Sequence, residues 1–254
     1  MKRLIIAAAA AAVLFGLQAG AVLAAEGKAL PERDWSFSGI FGSFDRGAMQ
    51  RGLQVYREVC SGCHSLRLIA FRNFAALGYS EDEIKALAAE YTVEGGPDQE
   101  GEMFERPGLP ADRVPSPFPN AKAAAAANNG AVPPDLSLMI KARDGGADYL
   151  HALLTGYAEP PDDLEVLEGQ NYNLYFPGNM IAMAEPLFED AVEYGDGTAA
   201  TVEQMASDVA HFLAWTAEPA MEERKRMGIK VVLFLLVFTA VLFAVKRKVW
   251  ANLP

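Results

Sequence analysis

The chain opens with an unbroken apolar stretch, Leu4 to Leu17, preceded by Lys2 and Arg3 and followed by small residues ending at Ala24-Ala25. A basic start, a short apolar centre and a small-residue exit are the layout of a secretory signal peptide. Residues 1–25 are therefore read as a leader cleaved on export, with the rest delivered out of the cytoplasm. A second run, Val231 to Val245, also carries no charge. As helix it spans only ~22 Å, short of the ~30 Å hydrocarbon core. Met227 to Lys230, with Lys230 snorkelling, and Val249-Trp250 close the gap. The pattern predicts an exported domain over 26–223, one transmembrane anchor over 224–250 and a short cytoplasmic tail over 251–254. Basic residues flank the anchor on both sides, so the leader decides the orientation: domain in the periplasm, anchor in the inner membrane.

Within the domain, Met49, Leu53, Tyr56 and Cys60 recur at helical spacing and form one face of a helix. Ser80 followed by Glu81-Asp82-Glu83 reads as a capped start to a short helix running to Tyr91. Asn120 can cap a brief alanine helix that Asn128-Asn129-Gly130 ends. Another helix is expected over Ala147 to Thr155. Thr201 and Gln204 have capping-box spacing, ahead of an apolar face made by Val202, Met205, Ala206, Val209, Phe212 and Leu213. Breakers crowd the stretch from Thr92 to Asn120, which is expected to be a long loop. Trp35, Phe37, Ile40, Phe41 and Phe44 are spaced to tuck under something larger. The expected fold is mainly α, an early and a late helix bracketing long irregular loops, with one C-terminal transmembrane helix.

Charge changes the picture once the segments are separated. All 33 acidic residues lie between Glu26 and Glu223, whereas nine of the 22 basic ones lie outside that stretch. So acidic a domain excludes nucleic acid, which needs a basic surface. It suits either plain solvation or a basic soluble protein steered in over long range.

The strongest chemical signal is Cys60-Ser61-Gly62-Cys63-His64. Two thiols three residues apart can each form a thioether with a haem vinyl group, and the adjacent imidazole then lies under the iron. Three alternatives compete. A structural zinc site needs four ligands, and only His151 and His211 remain to join the cluster. A redox dithiol calls for a βαβ surround that the helical pattern lacks. A disulfide across so short a gap is strained. Candidates for the sixth iron ligand are His151, His211 and the methionines of the irregular, proline-bounded stretch from Tyr172 to Pro186. A soft thioether there would favour ferrous iron. The residues leave Met180 and Met183 undivided.

Four segments together resemble cytochrome c1, the haem subunit of quinol-cytochrome c reductase: Arg51-Gly52-Leu53-Gln54-Val55-Tyr56 through His64; Ala127-Asn128-Asn129-Gly130-Ala131-Val132-Pro133-Pro134-Asp135-Leu136-Ser137; Leu154-Thr155-Gly156-Tyr157 with Pro160-Pro161; and Phe176-Pro177-Gly178 through Met183. The tail Arg224-Lys225-Arg226-Met227-Gly228 with its anchor fits too. The resemblance implies a cytochrome c-like haem domain with one covalent haem c held at Cys60 and Cys63. It implies His64 and Met183 as axial ligands. It places Arg143, and less firmly Tyr149, beside a haem propionate, and Asn128, Ala131, Pro133, Pro134 and Leu136 along the haem pocket. Some bacterial relatives carry an extra disulfide in the head, which this chain has no cysteines to make. Implied partners are cytochrome b, a Rieske iron-sulfur protein as donor and a soluble basic cytochrome c as acceptor, in a dimeric cytochrome bc1 complex. The chain would relay electrons and not be an enzyme by itself. The competing expectation is a membrane-tethered c-type cytochrome serving a terminal oxidase or photosynthetic centre.

Overall fold

A computed structural model describes residues 28–251. The leader expected at 1–25 lies outside the described residues, as does most of the short tail. Helix α1, Arg46–Val55, starts at Asp45, whose side chain accepts the Ala48 N–H. It runs on through a turn of π-helix, Tyr56–Cys60. After a 3-10 helix, Phe71–Leu77, come α2, Glu81–Ala89; α3, Ala121–Ala127; α4, Met139–Ala142; α5, Gly146–Thr155; and α6, Val202–Ala217. The last helix, α7, runs from Met221 to Trp250.

The early and late helices form the centre of the head. Met49 and Leu53 of α1, and Tyr56 at the start of the π turn, are buried together with Met205, Val209, Phe212 and Leu213 of α6. The Tyr56 and Phe212 rings lie 5.9 Å apart, and Phe74 joins Phe212 and Trp215 from the 3-10 helix. Each large apolar side chain so buried contributes roughly 1.5–3 kcal/mol. Close approach depends on Gly52: a Cβ there would fall 2.1 Å from the Asp208 carbonyl oxygen. Beside it, Arg51 pairs through Nε and Nη2 with the fully buried Asp208 at 2.9 and 3.0 Å. Gln204 donates to the same carboxylate, so the expected capping box is half made. Thr201 caps the Gln204 N–H, but the glutamine side chain turns inward to the buried charge.

Three expectations are corrected. The stretch from Thr92 to Asn120 is not all loop: β1, Thr92–Gly95, pairs antiparallel with β2, Phe104–Pro107. Its base is tied by Arg106 to Asp112 at 2.6 and 2.8 Å, a contact between residues no periodicity links. A smaller hairpin, β3 (Asn171–Tyr172) with β4 (Met180–Ile181), sits inside the supposedly irregular segment before Pro186. The five early aromatic and aliphatic residues also divide. Trp35 and Phe44 are buried and Phe37 packs on the core, whereas Ile40 and Phe41 are 69% and 84% exposed.

Helix α7 is long and apolar enough to cross a membrane, and none of its apolar stretch is buried against the head. Its first turns are bound to the head. Arg46 forks onto Glu222 at 2.6 and 2.8 Å, the Phe44 N–H donates to the same carboxylate, and Lys225 donates to the carbonyls of Phe37 and Gly42.

Candidate haem site

The turn carrying Cys60 and Cys63 is built on the end of α1. Ser61 Oγ donates to the Arg57 carbonyl, and the Ser61 N–H bonds to Tyr56 O, one residue farther back than in an α-helix. This local competition for the backbone widens the last turn into the π form. The N–H groups of Cys63 and His64 then close on the Cys60 carbonyl at 3.1 and 2.9 Å. Buried Tyr56 donates its hydroxyl to the His64 carbonyl, 3.0 Å away. From sequence Tyr56 is only a helix-face residue; its hydroxyl is what ties the motif to the core.

The segment after His64 is sewn to residues 134–137. His64 Nδ1 lies 2.8 Å from the Pro134 carbonyl oxygen. Asp135 accepts from Ser65 Oγ, from the Arg67 N–H and from the Ser137 N–H, while the Leu136 N–H donates to Ser65 O and the Leu68 N–H to Ser137 Oγ. A carbonyl facing Nδ1 makes that nitrogen the N–H donor, which leaves Nε2 with its lone pair free for a metal. Burial lowers the His64 pKa, with the Pro134 contact working the other way, and this favours the neutral imidazole that a ligand must be. Burial pulls Asp135 up, but the donors from Arg67, Ser137 and Ser65 outweigh it and hold the carboxyl below its ordinary range.

The thiols match covalent attachment better than the alternatives. Both are free of disulfide bonding. Burial, reinforced by Cys63, pushes the Cys60 thiol up to about 12, the opposite of the low-pKa thiolate that redox dithiols and zinc ligands use. Among the described residues no three His, Cys, Asp or Glu side chains converge as a metal cage. Cys63, Pro133 and Asp135 line an open cavity of about 340 Å³, together with Phe118 and Ala124.

Met183 stands on a second arm. Asn173, fully buried, organises it: its side chain donates to the Leu153 carbonyl and accepts the N–H groups of Tyr175 and Phe176. Its N–H donates to Asn179 O, and Asn179 Nδ2 returns to Asn173 O. The Met183 carbonyl is pinned twice, by Tyr157 Oη at 3.0 Å and Asn171 Nδ2 at 3.2 Å. Burial raises the Tyr157 pKa, with Glu185 adding to it, so its hydroxyl stays a donor. Met183 packs on the core cluster; Met180 lies in β4 opposite Tyr172 and is not part of that packing. The two remaining histidines are engaged around Trp35. The His211 ring centre is 5.1 Å from it, and buried His151 is 6.3 Å from it with Nε2 3.0 Å from Glu203.

The other expected pocket residues fall into two groups. Asn128 closes α3 by donating to Ala124 O, the Ala131 N–H returns to Asn128 O, and Leu136 is buried. Exposed Arg143 ends α4 and lies beside Tyr149, whose pKa is raised by burial against the opposing pull of that guanidinium. Asn173, Asn171 and Tyr157 carry no chemistry in isolation, and nothing in their spacing marks them as supports of Met183.

The residues thus fit a haem on the chemistry of their donors: two free thiols, an imidazole oriented through Nδ1, and a thioether on a braced backbone. Comparison with known proteins agrees. The family model described as "Cytochrome C1 family" matches residues 35–253. Cytochrome c1 of Rhodospirillum rubrum is 52% identical over 250 residues, covering 92% of each chain. The mitochondrial cytochrome c1 haem protein of Schizosaccharomyces pombe is 51% identical over 225 residues, 89% of this chain and 73% of that one. A Bradyrhizobium diazoefficiens protein named cytochrome b/c1 is 50% identical over 244 residues, 87% of this chain and 36% of that one. With likeness of this extent added to a site of this chemistry, the chain belongs to the cytochrome c1 family, as a membrane-anchored electron-transport protein carrying covalent haem c.

Proposed function

We propose that Cys60 and Cys63 hold the haem through thioethers, that His64 and Met183 are its axial ligands, and that the chain relays single electrons from a Rieske iron-sulfur protein to a soluble cytochrome c within a cytochrome bc1 complex. The haem supplies an iron that cycles between ferrous and ferric states; the polypeptide sets where it sits and which state it favours. The carrying observation is the contact of His64 Nδ1 with the Pro134 carbonyl, which turns Nε2 outward as a ligand and fixes its tautomer. Met183, with its carbonyl doubly pinned and its side chain on the core, is the better placed of the two methionines for the opposite face. Arg143 and Tyr149 would face propionate oxygens, and Asn128, Ala131, Pro133, Pro134 and Leu136 would form the pocket wall that excludes water.

Within this reading the chain is not an enzyme by itself, since it offers electron passage and the complex performs quinol oxidation. The relative named cytochrome b/c1 supports cytochrome b as a neighbour. An exposed acidic run, Glu159, Asp162, Asp163, Glu165 and Glu168, leads straight into the Met183 arm and supports a basic acceptor docking there, with attraction that added salt weakens. The leader over 1–25 supports a head over 26–223 in the periplasm, an anchor over 224–250 in the inner membrane and a tail over 251–254 in the cytoplasm.

Met183→Leu is the test. Its expected result is loss of the methionine ligand by optical and magnetic spectroscopy, haem still covalently bound, and a potential lowered by a large share of the ~0.8 V range that axial ligation spans. An unchanged potential would remove Met183 from the iron.

A further inference from the structure

Residues 36–43 form a closed loop whose apolar tip is exposed. The Ser38 N–H bonds to Trp35 O and the Ser43 N–H to Ser36 O, both at 2.9 Å. Gly39 takes a left-handed φ of +69°, and a Cβ on Gly42 would fall 2.0 Å from the Ser38 carbonyl oxygen, so the turn closes only with glycine there. This tight turn holds Ile40 and Phe41 outward at 69% and 84% exposure. No charged residue lies between Trp35 and Phe44.

The loop is fastened to the anchor helix at two heights. Phe44 and Arg46 meet α7 at Glu222, and the Phe37 and Gly42 carbonyls meet it at Lys225. Lys225 is three residues farther along, ~4.5 Å nearer the apolar run. Going from Arg46 back to Gly42, the chain therefore descends toward the hydrophobic segment. Lys225 itself stands ~3 Å before Met227 and ~9 Å before Val231, the two places where the apolar span can be taken to begin. The headgroup layer beyond the hydrocarbon is roughly 5–8 Å thick on each side, so the Lys225 level of α7, to which the loop is fastened, falls at headgroup depth.

We infer that Ile40 and Phe41 form a membrane-contacting tip that rests in the headgroup/acyl boundary beside α7. Its occupant is lipid: two apolar side chains flanked by Ser38, Gly39, Gly42 and Ser43 are too small a patch for a stable protein interface, whereas an aromatic ring suits the bilayer boundary. Exposed Arg226, one residue past Lys225, complements lipid phosphates. The tip and α7 would then fix the head against the membrane at two points, limiting its tilt. This rests on α7 being the anchor.

The test uses the full-length, haem-loaded chain in its membrane complex, reconstituted in vesicles containing anionic lipid. With Cys60 and Cys63 taken up by haem, a single introduced cysteine carries a nitroxide label. Phe41→Cys is compared with Leu109→Cys, exposed on the head, and Leu236→Cys, inside the anchor. The expected result is a ratio of oxygen to nickel-chelate accessibility several-fold higher at 41 than at 109, and highest at 236. A label at 41 as open to the chelate as that at 109, with 236 deep, overturns the inference. So does an immobile label at 41 shielded from both reagents, which would mean a protein partner covers it. A water-like label at 236 would instead remove the anchor, and the inference with it.

Discussion

The two arms that face the haem position are held in opposite ways. On the His64 side, the functional residues are contiguous from Cys60 to His64 and continue a helix, and a charged side chain, Asp135, gathers three donors beneath them. On the Met183 side, the donor atom stands alone, and neutral amides and a phenol from Asn171, Asn173, Asn179 and Tyr157 brace its backbone. Under the proposed assignment, the first arm would keep the cofactor and the second would present the thioether. The contrast predicts that damage to the first arm changes whether haem stays, and damage to the second changes which ligand and potential it has.

The largest effect should come from Cys60→Ala combined with Cys63→Ala. Haem staining on a denaturing gel is expected to vanish, and staining that survives would end the thioether assignment. Next, Asn173→Ala leaves the Leu153 carbonyl and two N–H groups without buried partners, at a cost of about 3 kcal/mol. Denaturant unfolding should record that loss. Spectra should show weakened methionine ligation with haem fully retained, and an equal loss of haem would erase the distinction between the arms.

Asp135→Asn probes the first arm, at about 2 kcal/mol for donors bonded to a charged group. Because the folded carboxyl is held below its ordinary value, the wild-type advantage is complete above about pH 4. It shrinks as pH falls through the folded value, and unfolding curves across that range should converge. The Met183 arm, with no carboxylate in its bracing, should show no matching convergence in a Tyr157→Phe series. That last substitution removes one hydrogen bond to the Met183 carbonyl and is expected to cost about 1 kcal/mol, read as a small shift in the thermal midpoint.

Helices were legible from the chain wherever apolar periodicity met a capping side chain. Ser80, Asn120 and Thr201 cap the helices expected of them, and Asp45 caps α1 as well. The hairpins were hidden because strands of two to four residues carry too short a pattern to outweigh the surrounding glycines and prolines. The exposed tip at Ile40 and Phe41 was misread because apolar spacing reports what prefers to leave water, and lipid satisfies that preference as well as a protein core does.

By itself, the chain determined the local chemistry: a five-residue motif with its two thiols and imidazole, an apolar anchor, and an acidic head, each of which needs only neighbours in sequence. Tertiary structure alone decided which methionine is braced, which histidines are already engaged around Trp35, and which amides support the ligand arm. Those outcomes depend on contacts between segments far apart in the chain, which local periodicity does not encode.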